Sequence, residues 1–252
     1  MIINKAATLA DKDVLMEDCA KRVRVFLGGQ CVADSRRVQL MHERGHLPVY
    51  YFPLDDIRAE SLVPSSRTTH CPRKGTTRYW SVRAGERLVE NALWNYPEPL
   101  PDCPDISGLA AFDWHSMDAW FEEDEQVFVH PRDPYTRIDT LASSRQVELR
   151  LGDVTVAASE RPLLLFETGL PVRYYLPKLD VRMQLLQATD TVTACPYKGV
   201  TSRYWTVAAG GEMLADGAWC YEQPRAEAMA IAGRICFYAE KMSLLLDGEL
   251  QA

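Results

Sequence analysis

The chain is written twice. Residues 71–80 read CPRKGTTRYW and residues 195–205 read CPYKGVTSRYW, 124 residues apart at the cysteine and 125 at the final tryptophan. Other matches keep the same two spacings. Val23-Arg24-Val25-Phe26-Leu27-Gly28 aligns with Val147-Glu148-Leu149-Arg150-Leu151-Gly152, and Tyr50-Tyr51-Phe52-Pro53 with Tyr174-Tyr175-Leu176-Pro177, at 124. Trp94-Asn95-Tyr96 aligns with Trp219-Cys220-Tyr221, and Phe112 with Phe237, at 125. A period of this length is far beyond a solenoid unit and marks a duplicated domain. The expected layout is an N-terminal arm over 1–20, a first domain over 21–129, a linker over 130–144 carrying His130-Pro131-Arg132-Asp133-Pro134, and a second domain over 145–252.

Within each copy the signals are mainly β. Val147, Leu149 and Leu151 alternate with polar neighbours, and Gly152-Asp153 turns the chain into Val154-Thr155-Val156, which predicts a hairpin. Arg78–Val82, Arg203–Val207 and Met242–Leu246 are further strand candidates. At a spacing of 125, Met117–Phe121 matches Met242–Leu246, so both copies are expected to close with the same strand. The second copy has one extra residue between Gly199 and Arg203; a bulge or loop is expected there, since a one-residue slip reverses every side chain. The run Glu122-Glu123-Asp124-Glu125 reads as a solvated face.

Composition narrows the function. A net charge of -7 gives no basic field for phosphate backbones, so nucleic acid is not an expected partner. No stretch approaches the ~18 apolar residues of a membrane span, and the start of the chain lacks a signal-like apolar run. No membrane partner and a cytoplasmic location are expected. Seven cysteines with no C-x-x-C pair point to reduced thiols rather than a disulfide framework.

His42-Glu43-Arg44-Gly45-His46 spells H-E-x-x-H, which binds zinc only where a helix puts both imidazoles on one face. Gly45, Pro48 and the β-prone Val49-Tyr50-Tyr51-Phe52 disfavour a helix. The second copy reads Phe166-Glu167-Thr168-Gly169-Leu170, without either histidine. No metal is expected.

CPRKG and CPYKG followed by RYW, then WNYPEP and WCYEQP, with HPRDPYTRID between the copies, resemble the bacterial domain of unknown function family 427 in tandem form. The resemblance implies two tandem β-tent domains of antiparallel sheets leaning together over a pocket. Some β-tent relatives hold zinc through paired C-x-x-C motifs; this chain has none, so that metal does not carry over. The family has also been labelled nucleotidyltransferase, yet no Gly-Ser loop followed by paired metal-binding Asp residues is present.

The doubled residues able to carry chemistry are Glu43/Glu167, Tyr51/Tyr175, Cys71/Cys195, Lys74/Lys198, Arg78/Arg203, Tyr79/Tyr204, Trp80/Trp205, Trp94/Trp219 and Tyr96/Tyr221. Flat apolar walls with a few charges suit a small-molecule pocket. The competing reading is that the aromatics are core and the cations lie along its edge. Cys71 and Cys195 each precede a lysine by three residues, which suits either a reactive thiol or a packing residue; Cys195 has no histidine in its own copy. The leading expectation is a small-molecule-binding module, with no cofactor, an aromatic and lysine-lined pocket in each domain, and an unspecified ligand and oligomeric state. The alternative is an enzyme working through Cys71, Lys74 and the early histidines; a third reading is a scaffold whose acidic run binds another protein.

Overall fold

In the computed structural model the described residues are 13–251. They form two units, divided between Asp133 and Pro134, each built from antiparallel strands and short 3-10 turns. The first twelve residues of the expected N-terminal arm lie outside the described residues.

In the first unit a seven-stranded sheet runs in the order Val14–Asp18, Gln39–Glu43, Val49–Pro53, Leu109–Phe112, Arg87–Asn95, Arg78–Ala84, Leu62–Pro64. A four-stranded sheet runs Glu125–Val127, Ala119–Glu122, Val23–Leu27, Gln30–Ser35. The second unit repeats this. Its larger sheet is Ile138–Ala142, Leu163–Glu167, Arg173–Leu176, Ile235–Phe237, Glu212–Cys220, Arg203–Ala209, Leu186–Thr189, and its smaller one is Val154–Ser159, Val147–Leu151, Ser243–Leu246, Glu249–Leu250. The expected hairpin is present, with Leu151 opposite Val154 across Gly152-Asp153.

Two expected boundaries move. Val14–Asp18, assigned to the arm, is the edge strand of the first large sheet, and Ile138–Ala142, assigned to the linker, is its counterpart in the second. Both are five-residue strands paired on one side only, so they carry little of the two-faced apolar pattern that marks a strand in sequence.

Alternation along the strands decides what each residue does. Tyr50, Phe52, Val82 and Leu93 of the larger sheet meet Val23, Val25 and Leu27 of the smaller one in the inter-sheet core. Their neighbours Tyr51 and Trp94 point the other way, into a separate cluster on the outer face. The second unit does the same, with Leu176, Trp205, Val207 and Ala218 inward and Tyr175, Tyr204 and Trp219 outward.

The extra residue of the second copy is absorbed between strands, as expected. Thr201 repeats the bond of Thr77, its hydroxyl donating to the Thr193 carbonyl (3.1 Å) as Thr77 does to Thr69 (3.0 Å). The insertion is therefore Ser202, whose N–H donates to the Cys220 carbonyl at 2.9 Å. A compensating loss follows. In the smaller sheets Trp120 faces Val25 and Leu244 faces Leu149, so the closing strands match at a spacing of 124, one residue away from the match at 125 expected from sequence. Glu122 then corresponds to Leu246, and it is buried: its carboxylate accepts from the Tyr50 hydroxyl at 2.6 Å and pairs with Lys21. The acidic run is thus a hairpin turn in which Glu123, Asp124 and Glu125 are exposed, as the solvated face expected from composition requires, while Glu122 is a core contact, a correction at that residue.

A doubled clamp that sequence patterning does not reveal fixes one 3-10 turn in each unit, Leu54–Asp56 and Lys178–Asp180. The Ser35 hydroxyl and Arg37 guanidinium both donate to Asp56, and Ser159 and Arg161 do the same to Asp180.

Phe52 is fully buried between Phe112 and Trp120, with ring centroids 5.7 and 6.2 Å away. Phe52→Ala is expected to lower stability by about 3–5 kcal/mol in urea denaturation, whereas Leu47→Ala, on an exposed turn, should stay within about 0.5 kcal/mol.

Candidate functional site

The C-P-x-K-G motif builds a turn that lays its lysine on the outer face of the large sheet. Proline in second position fixes one dihedral, and the Lys74 N–H returns to the Cys71 carbonyl at 3.3 Å. Gly75 follows with φ +104°, and a Cβ there would stand 3.0 Å from the Glu98 carbonyl oxygen. Glycine is required on both counts. The Leu100 N–H then donates to the Lys74 carbonyl at 3.2 Å, so the W-N-Y-P-E-P segment braces the turn. In the second unit Gly199 has φ +92° and the Arg225 N–H donates to the Lys198 carbonyl at 3.1 Å.

The ammonium so placed meets the carboxylate at the end of a large-sheet strand, Gln39–Glu43 in the first unit and Leu163–Glu167 in the second: Lys74 pairs with Glu43, and Lys198 with Glu167. All four side chains are about nine-tenths buried. Lys74 also sits 5.7 Å from the Tyr96 ring centroid. Burial opposes ionisation of Glu43, but the bonds and charge of Lys74 and Arg73 outweigh it and hold the carboxyl below its ordinary range. Arg73 Nη1 lies 3.3 Å from Glu43. Tyr197 occupies that position in the second unit, so Glu167 has no such second cation.

Around each pair stand the doubled aromatics. Tyr51 and Tyr175 are fully buried, Tyr96, Tyr204, Trp219 and Tyr221 nearly so, and Trp94 and Tyr79 are half-buried with ring centroids 6.5 Å apart. Burial pushes the phenols of Tyr51, Tyr96, Tyr175 and Tyr221 up, and that of Tyr204 up to about 12. Cys71 and Cys195 are half-buried against the same cluster. Trp80 and Trp205 point to the opposite face, into the inter-sheet core. Only Arg78 and Arg203 of the whole set are exposed, and neither has a side-chain hydrogen bond or ion pair among the described residues.

H-E-x-x-H is a strand end and a turn. His42 is buried with Nε2 2.6 Å from Glu17, and His46 is exposed on the turn, so the two rings do not converge.

The outer-face cluster is packed with side chains, and an open groove lies beside it. In the first unit a groove of about 670 Å3 is lined by Pro64, Ser65, Arg67, Thr68 and His70 on one side, by Gly75, Thr76, Thr77, Arg78 and Trp80 at its base, and by Pro97, Glu98 and Leu100 opposite. Of the first copy's nine candidates it takes Arg78 and Trp80. Arg67 and Glu98 line it too, and no periodicity singles them out; the signals available in sequence are the hydroxyl-rich run Ser65-Ser66-Arg67-Thr68-Thr69 and the repeated W-N-Y-P-E-P. The wall formed by that run is tied down: Ser65 donates to Asn91 Oδ1 (2.5 Å), and the Thr69 N–H donates to Thr77 Oγ1 (2.8 Å). Asn91 holds φ +54° in the bulge of its hairpin, a left-handed conformation that asparagine tolerates, and Asp216 repeats it at φ +48°.

Among the described residues no helix is long and apolar enough to cross a membrane. A sequence model of the family described as Domain of unknown function (DUF427) matches residues 15–123 and 139–248. Comparison with curated proteins finds no match.

Two outcomes test the buried pair. Lys198→Met strands the Glu167 carboxylate and should cost about 3–5 kcal/mol in urea denaturation; Lys74→Met should cost less, because Arg73 still reaches Glu43. Acid titration checks the second. Because the folded pKa of Glu43 is lowered, its contribution is present above the unfolded carboxyl value of about 4.3 and is lost as pH falls through the lower folded value. Glu43→Gln should remove that part of the acid-side slope.

Proposed function

The chain belongs to the DUF427 family, as a tandem pair of its domains, and on that premise we propose that it is a small-molecule-binding protein whose first domain takes an anionic ligand with a flat part. The observation that carries the reading is Arg78, an exposed guanidinium with no protein partner among the described residues, standing in a groove with Trp80 and Arg67. Arg67 lies over the Tyr79 ring at 4.9 Å and has no carboxylate partner either. Two unneutralised guanidiniums in one groove of an acidic protein suit a carboxylate or phosphate, which each can grip through two N–H donors. The half-buried Trp80 supplies an apolar wall, and Thr68 supplies a hydroxyl.

The pocket expected around lysine is thereby moved. Lys74 and Lys198 have their charges met by glutamate, and Lys74 belongs to the turn from which Gly75, Thr76 and Thr77 line the groove. The second domain keeps Arg203 but has Thr191, Ala194 and Arg225 where the first has Arg67, His70 and Leu100, so it is read as a structural partner. The thiol enzyme has less support: Lys74 is committed to Glu43, and His70 Nδ1 bonds Thr76 Oγ1 at 3.2 Å on the groove side.

3-Phenylpropanoate tests the proposal against 3-phenylpropanol, its uncharged analogue. The acid should raise the melting temperature with concentration and the alcohol should not, because a ligand of the native state stabilises it. Arg78→Ala should abolish the shift while Arg203→Ala leaves it; a shift indifferent to Arg78 would sink the reading.

A further inference from the structure

The groove is charged on both sides. Opposite the guanidiniums stands Glu98, an exposed carboxylate with no hydrogen bond or ion pair among the described residues. Cations and an anion share one cleft and do not neutralise one another, although ion pairs are frequent elsewhere in the same unit, from Arg22–Asp34 to Arg87–Asp118.

The two charged sides are carried by separately braced segments. The cationic side rests on the strand Arg78–Ala84 and on the run of residues 65–69, whose first residue donates its N–H to the Tyr79 carbonyl at 3.1 Å. The anionic side is held by the Gly75–Pro99 bridge and by the Leu100 N–H on the Lys74 carbonyl, with the Glu98 carbonyl against Gly75.

The two copies differ at both charges together. Thr191 stands where the first domain has Arg67, and Gln223 where it has Glu98, while the arginine of the R-Y-W motif is kept as Arg203. The charges that set the first groove apart are therefore one of each sign.

We propose that the ligand of the first domain is a zwitterion of amino-acid type: a carboxylate held by Arg67 and Arg78, an ammonium held by Glu98, and a flat or apolar side chain along Trp80. This rests on the anion-binding reading above and adds the second charge. A charge-assisted hydrogen bond to the ammonium contributes about 1.5–3 kcal/mol, which corresponds to about tenfold or more in affinity.

Three probes that share a phenyl ring and differ in charge make the test: L-phenylalanine, 3-phenylpropanoate and phenethylamine, titrated by calorimetry into the full chain. L-Phenylalanine is expected to bind about tenfold more tightly than 3-phenylpropanoate, with phenethylamine weakest. Glu98→Gln, at an exposed position, should bring the first two level without altering the urea midpoint. Should 3-phenylpropanoate bind as tightly as L-phenylalanine, with Glu98→Gln changing neither, the zwitterion proposal is overturned and the anionic one stands. Binding of phenethylamine alone, or of no probe, overturns both.

Discussion

The ammonium–carboxylate pair beneath the groove is the contact on which the surrounding geometry depends. It joins a turn closed by its own two-residue ladder, His70–Cys71 against Gly75–Thr76 and Ala194–Cys195 against Gly199–Val200, to the end of a strand 31 residues earlier, in a place where neither charge can be left alone. The same contact occurs twice, with the same atoms and nearly the same burial. Once the lysine is anchored, the glycine after it must turn sharply, its neighbour must lie against the W-N-Y-P-E-P segment, and a groove edge is defined. The pair organises a surface and does not itself form part of it.

That division explains how one frame carries two different surfaces. Aromatic residues that look like a binding cage in sequence are consumed in holding the sheet's outer face, so substitutions that alter recognition fall on the rim, where few packing contacts constrain them. Arg67, His70 and Glu98 are of this kind: all three are exposed or at the edge of the groove, and all three differ in the second copy.

Much of the frame could be read from sequence because a duplicated chain supplies its own comparison. The repeat, the β character, the hairpin at Gly152 and the loop that absorbs Ser202 all follow from pattern and turn chemistry. Trp80 was legible only in part: its grouping with Tyr79 joined two residues that a strand must send to opposite faces. Edge strands were obscured because pairing on one side demands little of their residues. The match of the closing strands at 125 is one residue out of step, since Met117 and Met242 do correspond but the second copy then loses a residue before the strand begins. The groove was hidden for a different reason. Its walls come from three separated segments, and their charges matter because of partners they do not have, which is a property of the folded arrangement alone.

In each unit the smaller sheet pairs an early strand with one of the last, Val23–Leu27 with Ala119–Glu122 and Val147–Leu151 with Ser243–Leu246. Such closure ties chain ends separated by nearly the full length of the domain, an arrangement of high contact order that folds slowly. During synthesis neither domain can complete its core until its final strand has cleared the ribosome. The first can do so while the second is still being made, which gives two similar sequences separate moments in which to find their own partners and limits mispairing between copies.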